Sequence, residues 1–410
     1  MENKEYTIGE ICSRFSSGKN ITSEDIHEQG MFPVYGGNGL RGYTDRSNFI
    51  GECSIIGRQG AYCGNVRFFS GEGYMSDHAV VAVTNNNHDN RYFSYKLSLM
   101  ELGRFSGQAA QPGISVSKVA KVKVEMPPLA IQQRIASILS AYDNLIENNN
   151  KRIRLLEQMA ENLYKEWFVR FRFPGHETCE LSESKLGKLP STFQVTNMGN
   201  VFDYYIGGGW GNDESSDEYP ITANVIRGAD FPNVWHYNLS SCPRRFHKVS
   251  NYKTRQLKDG DIIMEISGGT SEQPVGRTVL VTQDMINRFE RGNVICASFC
   301  KLIRLNRDLI SPYYFYYWMR YLYDTRIIDR FQLQSTGIIN FKFEPFLKNG
   351  LVMLPPKETQ NAFEKQVVPL FKEINQLAVQ TENLSRQRDL LLPRLMSGKL
   401  EVNVLLHDYE

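Results

Sequence analysis

The sequence has no apolar run of the 18 or more residues that a membrane-spanning helix needs. Its first residues, Met1 to Tyr6, carry Glu2, Lys4 and Glu5 and have no apolar signal-peptide core, so secretion is not expected. Cysteine is scarce: seven in 410 residues, none in a CxxC pair, an odd number that argues against a disulfide framework. We therefore expect a reducing, cytoplasmic setting. The 7 histidines are scattered and Cys296/Cys300 lack zinc-ligand spacing, so no metal is expected and these sulfurs read as core. Gly207–Gly211 is not followed by GK[ST], which excludes the phosphate loop of nucleotide hydrolases and leaves a turn or a DNA-backbone contact. An excess of one charge is also missing: the net charge is +2, too small to name a partner.

What the chain does have is a pair of long amphipathic segments. From Pro127 to Phe173, apolar residues fall at Ile131, Ile135, Ile138, Tyr142, Leu145, Leu156, Met159 and Leu163, in alternating steps of four and three with a polar break at Asn149 and Arg152. That is the a/d seam of a helix built to lie along another helix. At about 1.5 Å per residue it spans roughly 57 Å. Near the C-terminus, Phe363, Val367, Leu370, Ile374, Leu377, Thr381, Leu384, Arg388, Leu391 and Leu395 repeat the alternation. Adding 232 maps the first seam onto the second, and both follow a similar lead-in: Met126-Pro127-Pro128 with Gln132, and Leu354-Pro355-Pro356 with Gln360. The lead-ins differ from the seams by four in offset, which predicts a short insertion in one half. Pro369 inside the second run predicts a kink or a late helix start.

The globular parts repeat as well. Segments 53–56, 65–69 and 78–83 read as strands, and the turn-rich 33–43 as a loop or hairpin tip. Asn90 is expected to cap a helix ending near Gly103. Phe69–Gly73 fits an FxGxG pattern found in S-adenosylmethionine loops, but a strand follows it rather than a helix, so it reads as a hairpin turn. The second half replays this order, with Gly199 where Gly9 stands and Ser311-Pro312 as N-cap and first helical residue. The aromatic run Tyr313 to Trp318 then reads as core. No nuclease carboxylate cluster stands out, so the chain is expected to be non-catalytic.

On these residues the chain resembles the specificity subunit of type I restriction-modification enzymes. The stretches that carry the resemblance are Val124–Arg134, Ile153–Gln158 and Arg388–Leu400, and it extends over essentially the whole chain. It implies an α+β fold: two duplicated α/β target recognition domains, separated by two long helices packed as an antiparallel intramolecular coiled coil with pseudo-two-fold symmetry. We expect recognition domain 1 at 1–126, spacer helix 1 at 127–175, recognition domain 2 at 176–354, and spacer helix 2 with the tail at 355–410. The resemblance also implies partners: double-stranded DNA with a bipartite site, two methyltransferase subunits and two restriction/translocase subunits. S-adenosylmethionine, ATP and Mg²⁺ would sit in those partners, with no cofactor in this chain. The alternatives are a specificity subunit of another restriction class, or a coiled-coil adaptor without DNA specificity.

DNA binding has some support in the residues themselves. Between 227 and 258, seven basic residues (Arg227, Arg244, Arg245, Lys248, Lys253, Arg255, Lys258) face one acidic residue, Asp230, a local net of +6 with aromatic residues interleaved. Such a run can neutralise phosphates, so replacing Arg245 or Lys248 is expected to flatten the salt dependence of binding. Arg and Gln on glycine-rich loops are the side chains that pair with guanine and adenine edges. The candidates are Arg41, Arg58, Gln59, Arg104, Gln108 and Gln111 in the first half, and Gln273, Arg277 and Gln334 in the second.

Overall fold

In the computed structural model, residues 3–106, 113–270, 273–335 and 338–402 are described. The chain divides into two compact units, Met1–Glu147 with Asn383–Glu410, and Asn148–Glu382. Both dividing points fall inside the long helices Leu129–Tyr164 and Lys357–Met396, so each unit takes a part of each helix.

The first unit opens with strand Lys4–Thr7, paired antiparallel with Lys123–Met126. Thr7 ends the strand and starts a short helical turn, its hydroxyl and Glu10 closing a capping box. A six-stranded sheet follows, in the order Cys12–Ser17, Ala79–Thr84, Phe49–Gly57, Val66–Met75, Phe32–Gly36, Gly39–Thr44. The segment 33–43 is thus a hairpin. Phe69–Gly73 is strand interior, paired with Phe49–Cys53, and not the turn its glycines suggested. The helix Asn90–Ser98 buries Tyr92, Phe93 and Leu97 against the sheet. Its cap is Asp89, whose carboxylate accepts from Tyr92 N at 2.7 Å; Asn90 instead accepts from Thr84 N at 2.8 Å.

The second unit repeats the frame. Gln194–Asn197 pairs antiparallel with Leu351–Leu354, as Lys4–Thr7 does with Lys123–Met126. Four strands, Phe202–Gly207, Cys300–Leu305, Ile262–Glu265 and Thr278–Leu280, stand in the order of the first four strands of the six-stranded sheet, again antiparallel throughout. Gly9 and Gly199 show why glycine stands at both places: a Cβ would lie 3.2 Å from Ala120 O in one unit and 3.2 Å from Leu347 O in the other. The helix Pro312–Asp324 is capped by Ser311 and buries Tyr314 to Met319 in the core, as the aromatic run predicted. Cys296 and Cys300 are fully buried, and burial pushes the Cys296 thiol up to about 12. Between the shared strands the second unit adds a three-stranded sheet of Arg244–His247, Ile221–Ile226 and Val294–Cys296.

Each unit holds its sheet to the helices with the same buried glutamine. Gln132 Nε2 donates to Pro127 O at 2.8 Å while its Oε1 accepts from Asp89 N, the cap residue, at 3.0 Å. Gln360 Nε2 donates to Pro355 O at 2.8 Å and to Leu309 O at 3.1 Å, and its Oε1 accepts from the cap residue Ser311 N at 2.7 Å. Both side chains are buried. Leaving a buried backbone partner unmet costs about 1–3 kcal/mol. Gln360→Leu should therefore lower stability by about 2–3 kcal/mol, which urea unfolding will measure; an unchanged midpoint would remove the lock.

The lock corrects the offset between the halves. Gln132 and Gln360, like the helix starts Leu129 and Lys357, are 228 residues apart, and no insertion intervenes. The offset of 232 matched the seams because four residues are about one helical turn. In the first unit Ile135, Ala136 and Leu139 pack with Leu395 and Met396, and Ile131, Ile138 and Leu391 are partly buried beside them. In the second, Ala160 and Tyr164 pack with Phe363 and Val367, and Ile153 with Ile374 and Leu377; Leu156, Leu163 and Leu370 fill in around them. Within each unit, then, the helices run antiparallel. Tyr142 and Leu384 are half-buried, but Leu145 is 51% exposed and Met159 is 57% exposed. Asn149, an expected seam position, is buried, and beyond it the seam passes through Ile153 and Ala160, one position along from the expected Arg152 and Met159. Pro369 neither delays nor breaks the second helix, which starts at Lys357. Pro369 and Lys365, one turn earlier, are both exposed, so the carbonyl without a partner lies on the solvent side.

Candidate nucleic-acid interface

In the first unit the fold gathers several of the predicted residues at one end of the sheet. Arg41 is exposed on strand Gly39–Thr44, next to a turn whose Gly39 has φ +98°, a conformation that favours glycine. Arg58 N donates to His78 O at 3.0 Å, Arg58 O accepts from Ile114 N at 2.9 Å, and Gln59 bridges to Gly113. The hairpin tip closes on the same place, since a Cβ at Gly37 would lie 3.1 Å from His78 O and 3.4 Å from Gln59 O. Gln59 is exposed, whereas Arg58 is half-buried with Nη1 donating to Asp77 O at 3.2 Å. Gln108 and Gln111 lie outside the described residues. Arg104 is exposed beside Phe105 and lines a cavity of about 590 Å³ together with Arg67. Arg67, whose guanidinium also packs against Gly39, was missed in the sequence; its outward place in the alternation of strand Val66–Met75 is the signal that could have found it.

Of the seven cations in the basic run of the second unit, one pairs with Asp230 inside the run and three with acids from outside it. Arg227 pairs with Asp230 at 2.8 Å and Arg244 with Glu290 at 3.1 Å. Arg245 is buried, pairs with Asp213, and lies 4.6 Å from the Trp210 ring, so it supports that ring rather than facing solvent. Lys248 pairs with Glu218, whose hydrogen bond raises the lysine's pKa and keeps it charged. Arg255 donates to Gly207 O at 2.9 Å and so holds the glycine loop. Arg277 is the least available of all. It is buried against Glu265 through Nε at 2.8 Å and Nη2 at 2.7 Å, and Nη2 also donates to Gly228 O at 2.9 Å. Oriented to suit its neighbours, the Gln273 amide oxygen accepts from Arg277 Nη2 at 2.9 Å. Gln334 lies on strand Gln332–Ser335, opposite Ile339, which also faces Gly269; this brings the backbone of Gln334 to the loop that leads to Gln273.

A cavity of about 430 Å³ opens in this unit between Trp210, Arg227, Glu265 and Phe299. Trp210 is 40% exposed and Phe299 65% exposed at its edge. Gly208 N donating to Cys300 O at 2.9 Å and Gly209 N donating to Cys296 O at 2.9 Å pin the loop that presents Trp210. The arrangement supplies apolar and aromatic surface rimmed by polar groups. Among the described residues no group of three His, Cys, Asp or Glu is placed to hold a metal. No helix among them is long and apolar enough to cross a membrane.

Comparison with known proteins agrees with this architecture. Residues 1–158 match the family model for the type I restriction modification DNA specificity domain. The specificity subunit of the type I restriction enzyme EcoprrI from Escherichia coli is 34% identical over 166 residues, 40% of this chain and 41% of that one. The chain thus spans less than half of that relative's length. The MjaVIII specificity subunit from Methanocaldococcus jannaschii is 21% identical over 97% of this chain and 93% of its own. A crystal structure of the type I restriction-modification S subunit from M. genitalium shares the fold, with a TM-score of 0.58, 15% identity and 96% of each chain covered. The chain is thus similar over residues 1–158 to the type I restriction modification DNA specificity domain, and along most of its length to type I restriction enzyme specificity subunits.

Proposed function

We propose that this chain is the DNA-reading subunit of a type I restriction-modification complex, and that each compact unit reads one part of a split sequence. The observation that carries the reading is the repeated frame. The same sheet order, the same Gly9/Gly199 contact and the same buried glutamine attach two different loop sets to one pair of helices. A shared frame with different loops suits two readers of different sequences. Phosphate contacts would set each unit's register, and base-edge hydrogen bonds would read the sequence. Arg41, Gln59, Arg67 and Arg104 are the exposed candidates in the first unit; Arg244 and Gln273 are those of the second.

The long helices serve as the spacer, and they expose Leu145, Leu155, Met159 and Leu390 to solvent. Exposed apolar residues on a charged helix suit docking of partner subunits. On this reading the partners are two methyltransferase and two restriction/translocase subunits, which carry S-adenosylmethionine, ATP and Mg²⁺. The chain itself does no chemistry and works in the cytoplasm. It places the methyltransferase where an adenine must leave the stack to be modified.

Selection from a random duplex library by the chain with its methyltransferase subunits tests this. The expected product is two short sequences separated by unread bases. A single continuous sequence, or no enrichment, would overturn the reading. On the selected duplex, Arg41→Ala should reduce the slope of log binding constant against log salt by about 1, the share of one phosphate contact. An unchanged slope would take Arg41 off the contact surface.

A further inference from the structure

The two units fasten their sheets to the long helices at equivalent places with different chemistry. In the first unit, Arg91 and Tyr95, on the helix that follows cap Asp89, both bond to Asp143 of the first long helix. Arg91 Nη2 lies 2.9 Å from Asp143 Oδ2. The other oxygen, Oδ1, accepts from Arg388 Nη1 of the second long helix at 2.8 Å. One carboxylate therefore ties three elements together: the helix Asn90–Ser98 and both long helices. In the second unit the cap is Ser311, so the residues standing where Arg91 and Tyr95 stand are Tyr313 and Tyr317. The residue equivalent to Asp143, 228 positions on, is Phe371. Phe371 packs edge-on against Tyr313 at 5.2 Å and Tyr317 at 6.3 Å. Arg388 has its equivalent in Ala160, which is fully buried. The second joint is a close-packed aromatic core; the first is a partly exposed ionic node.

Close-packed aromatic residues hold their position through many contacts, so no one of them decides the angle. An ionic node concentrates that role in one acceptor, with charge-assisted bonds of defined direction. We propose that Asp143 is a positioning residue: it fixes the angle at which the first recognition sheet leaves the long helices, and through that angle it sets the gap allowed between the two half-sequences. The proposal rests on the split-site reading above. Asp143→Asn leaves one of Arg91 and Arg388 on the single amide oxygen and the other facing the amide NH2, a donor it cannot bond. The sheet can then settle at neighbouring angles, and gaps next to the normal one become usable. The half-sequences stay the same because no reading residue is touched.

The test uses the full chain with its methyltransferase subunits in cells, comparing wild type with Asp143→Asn by sequencing methylated bases genome-wide. The expected result is unchanged half-sequences with gaps one base pair longer or shorter rising about tenfold relative to wild type, the weight of about 1.4 kcal/mol. A variant that keeps the single wild-type gap would overturn the proposal. If Asp143→Asn abolishes methylation, Arg91→Lys decides. It keeps the charge but not the fork geometry, so broadened gaps would support the pin and a single gap would overturn it. A wild-type pattern without a split site would overturn the functional reading itself, and the pin with it.

Discussion

Replacing Arg277 by alanine is expected to destabilise the unit Asn148–Glu382 by about 3–5 kcal/mol, the cost of stripping a buried ion pair of one partner. The pair is enclosed, with side-chain exposures of 6% for Arg277 and 5% for Glu265. Without the guanidinium, the buried Glu265 carboxylate loses both of its Arg277 hydrogen bonds and Gly228 O keeps only Phe231 N, while the carboxylate stays packed against Gly228, where a Cβ would meet Glu265 Oε1 at 2.3 Å. In a unit of this size each kcal/mol moves the melting temperature by about 2–4 °C, so a fall of roughly 10 °C is expected by calorimetry. Replacing both residues by apolar ones of similar volume, Glu265→Leu with Arg277→Met, should recover most of the loss, since the pair's own net contribution is small. An alanine variant that melts with wild type would show that the pair is not carrying the unit. One that melts normally but loses only sequence preference would return Arg277 to the reading surface.

The second large effect concerns the helices. Removing seven residues from each long helix, near 147/148 and 382/383 where the two units divide, should shorten the gap between the half-sequences by about three base pairs. Seven residues at about 1.5 Å are roughly 10 Å of helix, and DNA rises about 3.4 Å per base pair. A whole heptad is used so that the apolar seam returns to register. The two half-sequences should be untouched, because no loop of either sheet changes. A variant that methylates a different half-sequence at the old gap would contradict the spacer role.

The long helices and the duplication were legible because both rest on spacing. A 4-3 apolar alternation forces a helix with one apolar face, and a proline pair followed by a glutamine recurs before each. Spacing has limits of its own, however. A helix with 3.6 residues per turn leaves a neighbouring face open, and Met159 drew the seam one position from the buried Ala160. The one-turn error between 232 and 228 has the same origin. Asn90 and Asp89 are both capping residues, and only the backbone turn selects Asp89.

The interface was less legible because charge acts through space. The run from Arg227 to Lys258 reads as strongly basic, yet Asp213, Glu218 and Glu290, all outside it, are folded onto Arg245, Lys248 and Arg244. Arg277 looked like a base-reading arginine on a glycine-rich loop until its partner Glu265, twelve residues earlier, took the fork. Trp210 and Phe299 gave no sequence signal for sharing a cavity, since the approach of their loops is set by Gly208 and Gly209 bonding to Cys300 and Cys296.

Sequencing of methylated bases in cells that carry the wild-type chain with its methyltransferase partners bears most directly on whether two heads read one split site. The account predicts modified adenines in two short, different sequences on either side of a gap of constant length. Methylation confined to one uninterrupted sequence, or a second half that can be altered without effect, would contradict it.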